Sequence, residues 1–270
     1  MTPRFKSIFG TKKPVIAMVH FGALPGAPLF DNKTGLDGLI DGARKDLVAL
    51  QQAGVDAVMF GNENDRPYEF KVDTPSTATM AFIIGILKKD INVPFGVNVL
   101  WDPMSSVALA AATGASFIRE IMTGVYSSDM GIWNTNAGEV MRYRNHLNRP
   151  DLGMFFNISA EFAASTDTRS LVDRARSAVF SSVPDAILVS GAITGEAPAM
   201  SDLAAVKKAL PDTPVLANTG VKLDTVTEVM KISDGCVVGS SLKRDGHTWN
   251  AVDADRATAF MDSARKARGH

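Results

Sequence analysis

The sequence predicts a (β/α)8 TIM barrel, an α/β fold in one domain spanning residues 1–270, and three observations carry the prediction. Eight short apolar runs recur along the 270 residues, each breaking off at polar residues or glycine. The runs are continuous rather than alternating, as strands of a parallel sheet must be when both faces are covered. Helix-like stretches separate them, which gives the βαβα order of a closed barrel. A flavodoxin-like doubly wound sheet is the alternative, and eight regular units favour closure.

The runs, in order, are Val15 to His20, Asp56 to Glu63, Phe95 to Val99, Ser116 to Glu120, Met154 to Asn157, Asp185 to Gly191, Pro214 to Asn218 and Cys236 to Ser240. Ala53-Gly54-Val55-Asp56 and Thr113-Gly114-Ala115-Ser116 each end a helix on glycine and lead into a strand, and Val183-Pro184 and Ser233-Asp234-Gly235 take the same place later. The intervening helices are amphipathic. Leu36, Leu39, Ile40, Ala43, Leu47 and Leu50 keep one face of the first. Asp102-Pro103 reads as a cap followed by proline at the first helical position, and the helix after it is alanine-rich (Ala108, Ala110, Ala111, Ala112). Leu171, Ala175 and Ala178, then Leu203, Val206 and Leu210, then Val226, Val229 and Met230, then Phe260, Met261 and Ala264 mark the later ones. Three connections after strands are longer than packing requires: 21–34, 63–75 and 121–136. All leave the C-terminal ends of strands, the face where barrels of this kind place their chemistry.

Composition narrows the function classes. A formal net charge of −1, with no Lys/Arg stripe or interleaved aromatics, argues against nucleic acid. No apolar run approaches the roughly 18 residues of a membrane span, and the stretch from Met1 to Thr11 lacks the apolar core of a secretory signal. The single cysteine, Cys236, forms no internal disulfide and suits a cytoplasmic protein. It reads as a small core residue. No P-loop, G-x-S-x-G elbow, H-E-x-x-H or Cys/His zinc array is present.

Strand ends supply the candidate site. His20 closes the first run, where a histidine serves as general acid or base or as a metal ligand. Asn62 and Glu63 close the second, with Asn64 and Asp65 read as turn residues. Asn98 is a polar residue inside an apolar strand and needs buried partners. Arg119 and Glu120 close the fourth run. Consecutive strand residues face opposite ways, so at most one of them faces the barrel axis. Asn157 and Glu161 follow on the fifth. His20, Glu63 and Glu120 are thus the expected catalytic groups, and Asn62, Asn98, Arg119, Asn157 and Asn218 the expected substrate-binding ones. The last three strands run into Ser190-Gly191-Ala192-Ile193-Thr194-Gly195, Asn218-Thr219-Gly220-Val221-Lys222 and Gly239-Ser240-Ser241-Leu242-Lys243. Barrels that bind phosphorylated substrates hold the phosphate after strands seven and eight. Gly191, Gly220, Lys222, Gly239, Ser240 and Ser241 are therefore the expected phosphate-binding residues. No cofactor is expected. A divalent metal at His20, Glu63 and Glu120 requires all three to point inward. Ordinary turn chemistry and hydrogen-bonded rim residues are the plain alternative for each position.

The segment from Val15 to Pro28, the run Asn218-Thr219-Gly220-Val221-Lys222, and the stretch from Val238 to Asn250 with Val252-Asp253 together resemble the signatures of the BtpA/SgcQ family, in the right order and at both ends of the barrel. The resemblance implies a TIM barrel similar to the ribulose-phosphate-binding barrels. Cyanobacterial members of that family are linked to photosystem I biogenesis at the thylakoid; a bacterial branch lies beside sugar-uptake genes, with nucleosidase among its descriptions. It transfers no catalytic residue.

The expected function is accordingly an enzyme of a small phosphorylated sugar or nucleoside-like metabolite, a lyase, isomerase or nucleosidase-type hydrolase. In N-glycosidic cleavage Glu63 or Glu120 would activate water while His20 assists the leaving group. The alternative is a non-catalytic assembly factor of the photosystem I type. A homo-oligomer fits the fold, with no interface readable.

Overall fold

In the computed structural model, which describes residues 1–10, 12–191, 193 and 195–269, eight parallel strands close into a barrel. Their order is β1 (Val15–His20), β11 (Cys236–Val238), β10 (Val215–Asn218), β9 (Ala186–Ser190), β7 (Gly153–Asn157), β4 (Phe117–Glu120), β3 (Phe95–Asn98) and β2 (Ala57–Gly61). Thr11, Ala192, Thr194 and His270 lie outside the described residues. Each expected run holds its strand, and the ends agree to within two residues.

A helix follows every barrel strand: α2 (Gly35–Ala53), α3 (Thr74–Leu87), α4 (Pro103–Thr113), α5 (Ala137–His146), α6 (Leu171–Ser182), α7 (Met200–Ala209), α8 (Val226–Ile232) and α9 (Ala254–Arg268). The Asp102 carboxylate accepts from the backbone N–H groups of Met104 and Ser105, so it caps α4 as its sequence setting predicts. Gly54 and Gly114 close α2 and α4 in the left-handed region, at φ 79° and 76°. After α6 that conformation falls instead on Val183, at φ 48°, and Pro184 only follows it.

Strand parity sorts the side chains. Val15, Ala17, Val19, Val58, Phe60 and Val97 face the helices in the larger apolar cluster. Ile16, Met18, Met59, Phe117, Phe155, Leu188, Leu216 and Val237 fill the barrel axis. The N-terminal helix α1 (Pro3–Phe9), which precedes the first apolar run, plugs that axis from the end opposite the long connections. Phe5 lies 5.7 Å from the Phe155 ring and Phe9 5.8 Å from Phe117.

The long connection after β4 is not a simple loop. It forms the hairpin β5 (Val125–Ser128) and β6 (Gly131–Asn134), and β8 (Ala163–Ser165) from the connection after β7 pairs with β5 in an antiparallel sheet. Tyr126 and Trp133 pack from this sheet onto Trp101, with Tyr68 and Phe70 from the connection after β2. This aromatic wall stands on one side of the barrel mouth. Among the described residues no helix is long and apolar enough to cross a membrane.

Candidate active site

Two residues beyond the apolar layer of Met18, Met59, Phe117, Leu188, Leu216 and Val237, the inward positions change character. They are His20, Gly61, Arg119, Ser190, Asn218 and Gly239, with Asn98 and Asn157 completing the ring. Buried polar groups must find partners, and these find one another. Arg119 lies at the centre: Nη1 donates to Asn218 Oδ1 at 3.1 Å and Nη2 to Asn98 Oδ1. Asn218 and Asn157 both donate through Nδ2 to Ser190 Oγ, at 2.7 and 2.8 Å. The apolar core thus ends in a hydrogen-bonded polar floor.

Glycines shape what stands on that floor. A Cβ on Gly61 would lie 2.4 Å from Glu63 Oε2, so the missing side chain of β2 is the space into which the Glu63 carboxyl folds. A Cβ on Gly239 would lie 2.9 Å from His20 Cε1, and the imidazole uses that space in the same way. Glu63 Oε1 sits 3.6 Å from Arg119 Nη2 and 3.8 Å from His20 Nε2, while Oε2 is buried with no hydrogen-bond partner. Burial raises the Glu63 pKa above the ordinary carboxylate value, and the Arg119 charge pulls against it. Burial, and next the charge of Lys243, push His20 down to about 3. The imidazole is therefore neutral, and its approach to Glu63 is not an ion pair.

His20, Glu63, Arg119, Glu161, Trp101, Gly220 and Ser240 are among the residues lining a small cavity of about 30 Å³ above the floor. Trp101 Nε1 is a buried donor without a partner. Beside it opens a larger pocket of about 660 Å³, lined by Gly220, Lys222, Gly239, Ser240, Ser241, His247, Thr248 and Arg256 among others. Ser240 Oγ and Thr248 Oγ1 are 2.6 Å apart in its wall. Gly195, Gly220, Gly239 and Ser240 line both spaces. Across the mouth, the Arg66 guanidinium stacks on Trp249, 4.3 Å from the ring centroid.

The expected site residues divide accordingly. His20, Glu63 and Arg119 meet at the cavity, while Asn98, Asn157 and Asn218 form the floor beneath. Glu120, expected as a catalytic group, faces the opposite way. Its Oε1 accepts from Asn98 Nδ2 at 2.5 Å and from Ser106 Oγ of α4 at 2.7 Å, and burial pushes its pKa up to about 8. The alternation between Arg119 and Glu120 decides this, and the set His20, Glu63 and Glu120 does not converge on one point. Among the described residues no group of three or more His, Cys, Asp or Glu could hold a metal ion.

Asn62 also turns outward. Its Oδ1 accepts from Leu100 N at 2.7 Å, which ties the connections after β2 and β3 together. Of the residues expected to bind phosphate, Gly220, Lys222, Gly239, Ser240 and Ser241 line the larger pocket; Gly191 does not. A Cβ there would strike the Glu196 backbone at 2.3 Å, so close chain packing accounts for that glycine. Lys243, which ends the run after the eighth strand, is 2.5 Å from Asp46 and buried in that ion pair, behind the site.

A model of the BtpA family matches residues 11–266. The chain belongs to the BtpA family. It is 49% identical over 263 residues to the sgc region protein SgcQ of Escherichia coli, covering 97% of this chain and 98% of SgcQ. It is 32% identical over 258 residues to the photosystem I biogenesis protein BtpA of Synechocystis, covering 94% of this chain and 89% of that protein. Among solved structures it resembles (S)-3-O-geranylgeranylglyceryl phosphate synthase from Thermoplasma acidophilum, in complex with its substrate sn-glycerol-1-phosphate. The TM-score is 0.63 at 14% identity, covering 98% of this chain and 99% of that one. The barrel fold follows from this likeness and from the strand order together.

Not among the expected site residues are Ser190 in the floor, Trp101 in the cavity, and His247, Thr248 and Arg256 in the larger pocket. Ser190 carried a usable signal, since it occupies the strand-end position that Asn218 takes on the next strand. Trp101 and Arg256 reach the mouth only through tertiary packing.

Proposed function

We propose that this protein is an enzyme of a small phosphorylated metabolite. The phosphate sits in the larger pocket between the segments after β10 and β11, and the reacting end enters the cavity at Glu63 and Arg119. The continuity of the two spaces through Gly195, Gly220, Gly239 and Ser240 carries the reading, because one ligand can then touch both. The larger pocket offers Lys222, Arg256 and the Ser240, Ser241 and Thr248 hydroxyls to an anion. The cavity offers a buried carboxyl, a neutral imidazole and a buried guanidinium, a set suited to acid–base chemistry beside a developing oxyanion. The Thermoplasma synthase, which shares the fold, binds a phosphate ester as its substrate. Among the described residues lining the cavity there is no lysine, so Schiff-base chemistry has no amine there. An assembly role of the kind in the Synechocystis protein's name would have no use for this buried polar floor.

Thermal unfolding against inorganic phosphate and ribose 5-phosphate tests the anion site. A ligand at a hundredfold excess over its dissociation constant stabilises by about 2.7 kcal/mol. The double variant Lys222→Ala/Arg256→Ala is expected to weaken binding at least about tenfold, since charge-assisted hydrogen bonds contribute roughly 1.5–3 kcal/mol each. Both side chains are exposed, so the unliganded midpoint should stay within a degree or two. Unchanged phosphate affinity in that variant would remove the site from this pocket.

A further inference from the structure

We infer that the reaction in the cavity is an aldose–ketose interconversion, in which Glu63 carries a proton between adjacent carbons of a phosphorylated sugar and Arg119 holds the oxyanion. The inference rests on the reading above and names the chemistry within it.

Size comes first. About 30 Å³ holds roughly two water-sized groups, since one needs about 10–15 Å³ by the same measure. The end of an open-chain sugar is slim enough to enter that space; a nucleobase is not. The nucleosidase-type chemistry weighed from the sequence would have to leave its base outside the cavity.

The disposition of the Glu63 carboxyl comes next. Oε1 is held near Arg119 and His20, whereas Oε2 is buried, unpartnered and directly over Gly61. A carboxylate held by one oxygen and unengaged at the other is disposed to take a proton from carbon. Burial raises its pKa, which strengthens it as a base.

The remaining groups supply what the intermediate needs. Arg119 is fixed by the amide oxygens of Asn98 and Asn218, so its cationic face is set before any ligand arrives. His20 is neutral, with Nε2 3.8 Å from Glu63 Oε1. It can therefore relay a proton between two oxygens without carrying a standing charge.

The step balances without a co-reactant. Glu63 Oε2 takes the proton from the carbon beside the carbonyl. The C–H pair becomes the C=C bond, and the carbonyl π pair moves to oxygen, giving an enediolate beside Arg119. Return of the proton to the other carbon, with the hydroxyl proton passed from one oxygen to the other through His20, leaves the isomer. Nothing is oxidised or reduced overall, and no bond between heavy atoms breaks.

The experiment combines ¹H NMR in D₂O with thermal unfolding, on the full chain. The probes are the pairs glyceraldehyde 3-phosphate/dihydroxyacetone phosphate, ribose 5-phosphate/ribulose 5-phosphate and glucose 6-phosphate/fructose 6-phosphate. The expected result is interconversion within one pair, or deuterium entry at the carbon beside its carbonyl. Glu63→Gln should slow this by about a thousandfold, within the range for a positioned acid–base group. The same variant should keep the wild-type midpoint shift with inorganic phosphate, which separates loss of chemistry from loss of fold or of the anion site. A sugar phosphate that stabilises the protein yet neither isomerises nor exchanges would overturn the inference while leaving the phosphate reading intact. Cleavage to smaller products would do the same. Failure of every probe and of inorganic phosphate to stabilise would overturn both.

Discussion

Arg119→Met is expected to lower the unfolding midpoint by on the order of 10 °C and to abolish ligand binding in the cavity. Arg119 is buried and is the hub of the floor: Asn98 and Asn218 spend their side-chain oxygens on it, and Glu63 lies 3.6 Å from it. Methionine matches much of the stem volume but leaves two buried amide oxygens unpaired and a buried carboxyl without its nearby cation. Removing one partner of such an arrangement costs about 3–5 kcal/mol, and each kcal/mol shifts the midpoint by roughly 2–4 °C in a chain of this size class. Arg119→Lys keeps the charge but not the planar fork that meets both amides, so it should recover only part of the loss. Differential scanning calorimetry of the three proteins checks this. A methionine variant as stable as the wild type would mean that the floor is not held by Arg119.

Stability should also fall as pH rises through neutrality, and Glu120 should be a main cause. Burial pushes its pKa in the folded protein up to about 8 from an ordinary value of 4.5, against hydrogen bonds from Ser106 and Asn98 and the Arg119 charge, all of which lower it. Between those values the folded state holds the proton and the unfolded state has lost it. Stability from this group is therefore fully present below about pH 4.5 and is lost as pH rises through about 8. The loss across the window is on the order of a few kcal/mol. Glu120→Gln, which keeps the shape and cannot ionise, should remove that slope. The informative quantity is the difference between the two proteins in urea unfolding at pH 5, 7 and 8.5. His20 contributes with the opposite sign, its depressed pKa making stability fall as pH drops below 6.5, and it cancels in that difference. Parallel curves for the two proteins would contradict the account of Glu120.

The barrel was legible because each strand is a continuous apolar run that a parallel, doubly covered strand requires, and because turn glycines such as Gly54 and Gly114 punctuate the repeats. Position at the ends of those runs was enough to mark His20, Arg119 and Asn218 as residues of the barrel mouth. Parity allows only one of Arg119 and Glu120 to face the axis without saying which, and the hydrogen bonds of Glu120 settle which one turns away. Glu63 was legible as a residue just past the second run, and Gly61, two residues earlier, leaves the space into which its carboxyl folds. What stayed hidden depends on contacts distant in sequence. Lys243 looks like a free cation after the last strand until Asp46 of α2, 197 residues away, takes it up. The hairpin of β5 and β6 has strands of four residues each, too short for alternation to stand out within a long polar connection.

The central claim is that one ligand spans the two spaces, and a co-crystal structure tests it most directly. The ligand is whichever of the six sugar phosphates raises the midpoint most. Phosphate density is expected against Lys222, Arg256 and the Ser240–Ser241 segment, with the carbonyl end in the cavity beside Glu63 and Arg119. Density for the phosphate elsewhere on the barrel, or a sugar chain lying outside the cavity with Glu63 untouched, would contradict it.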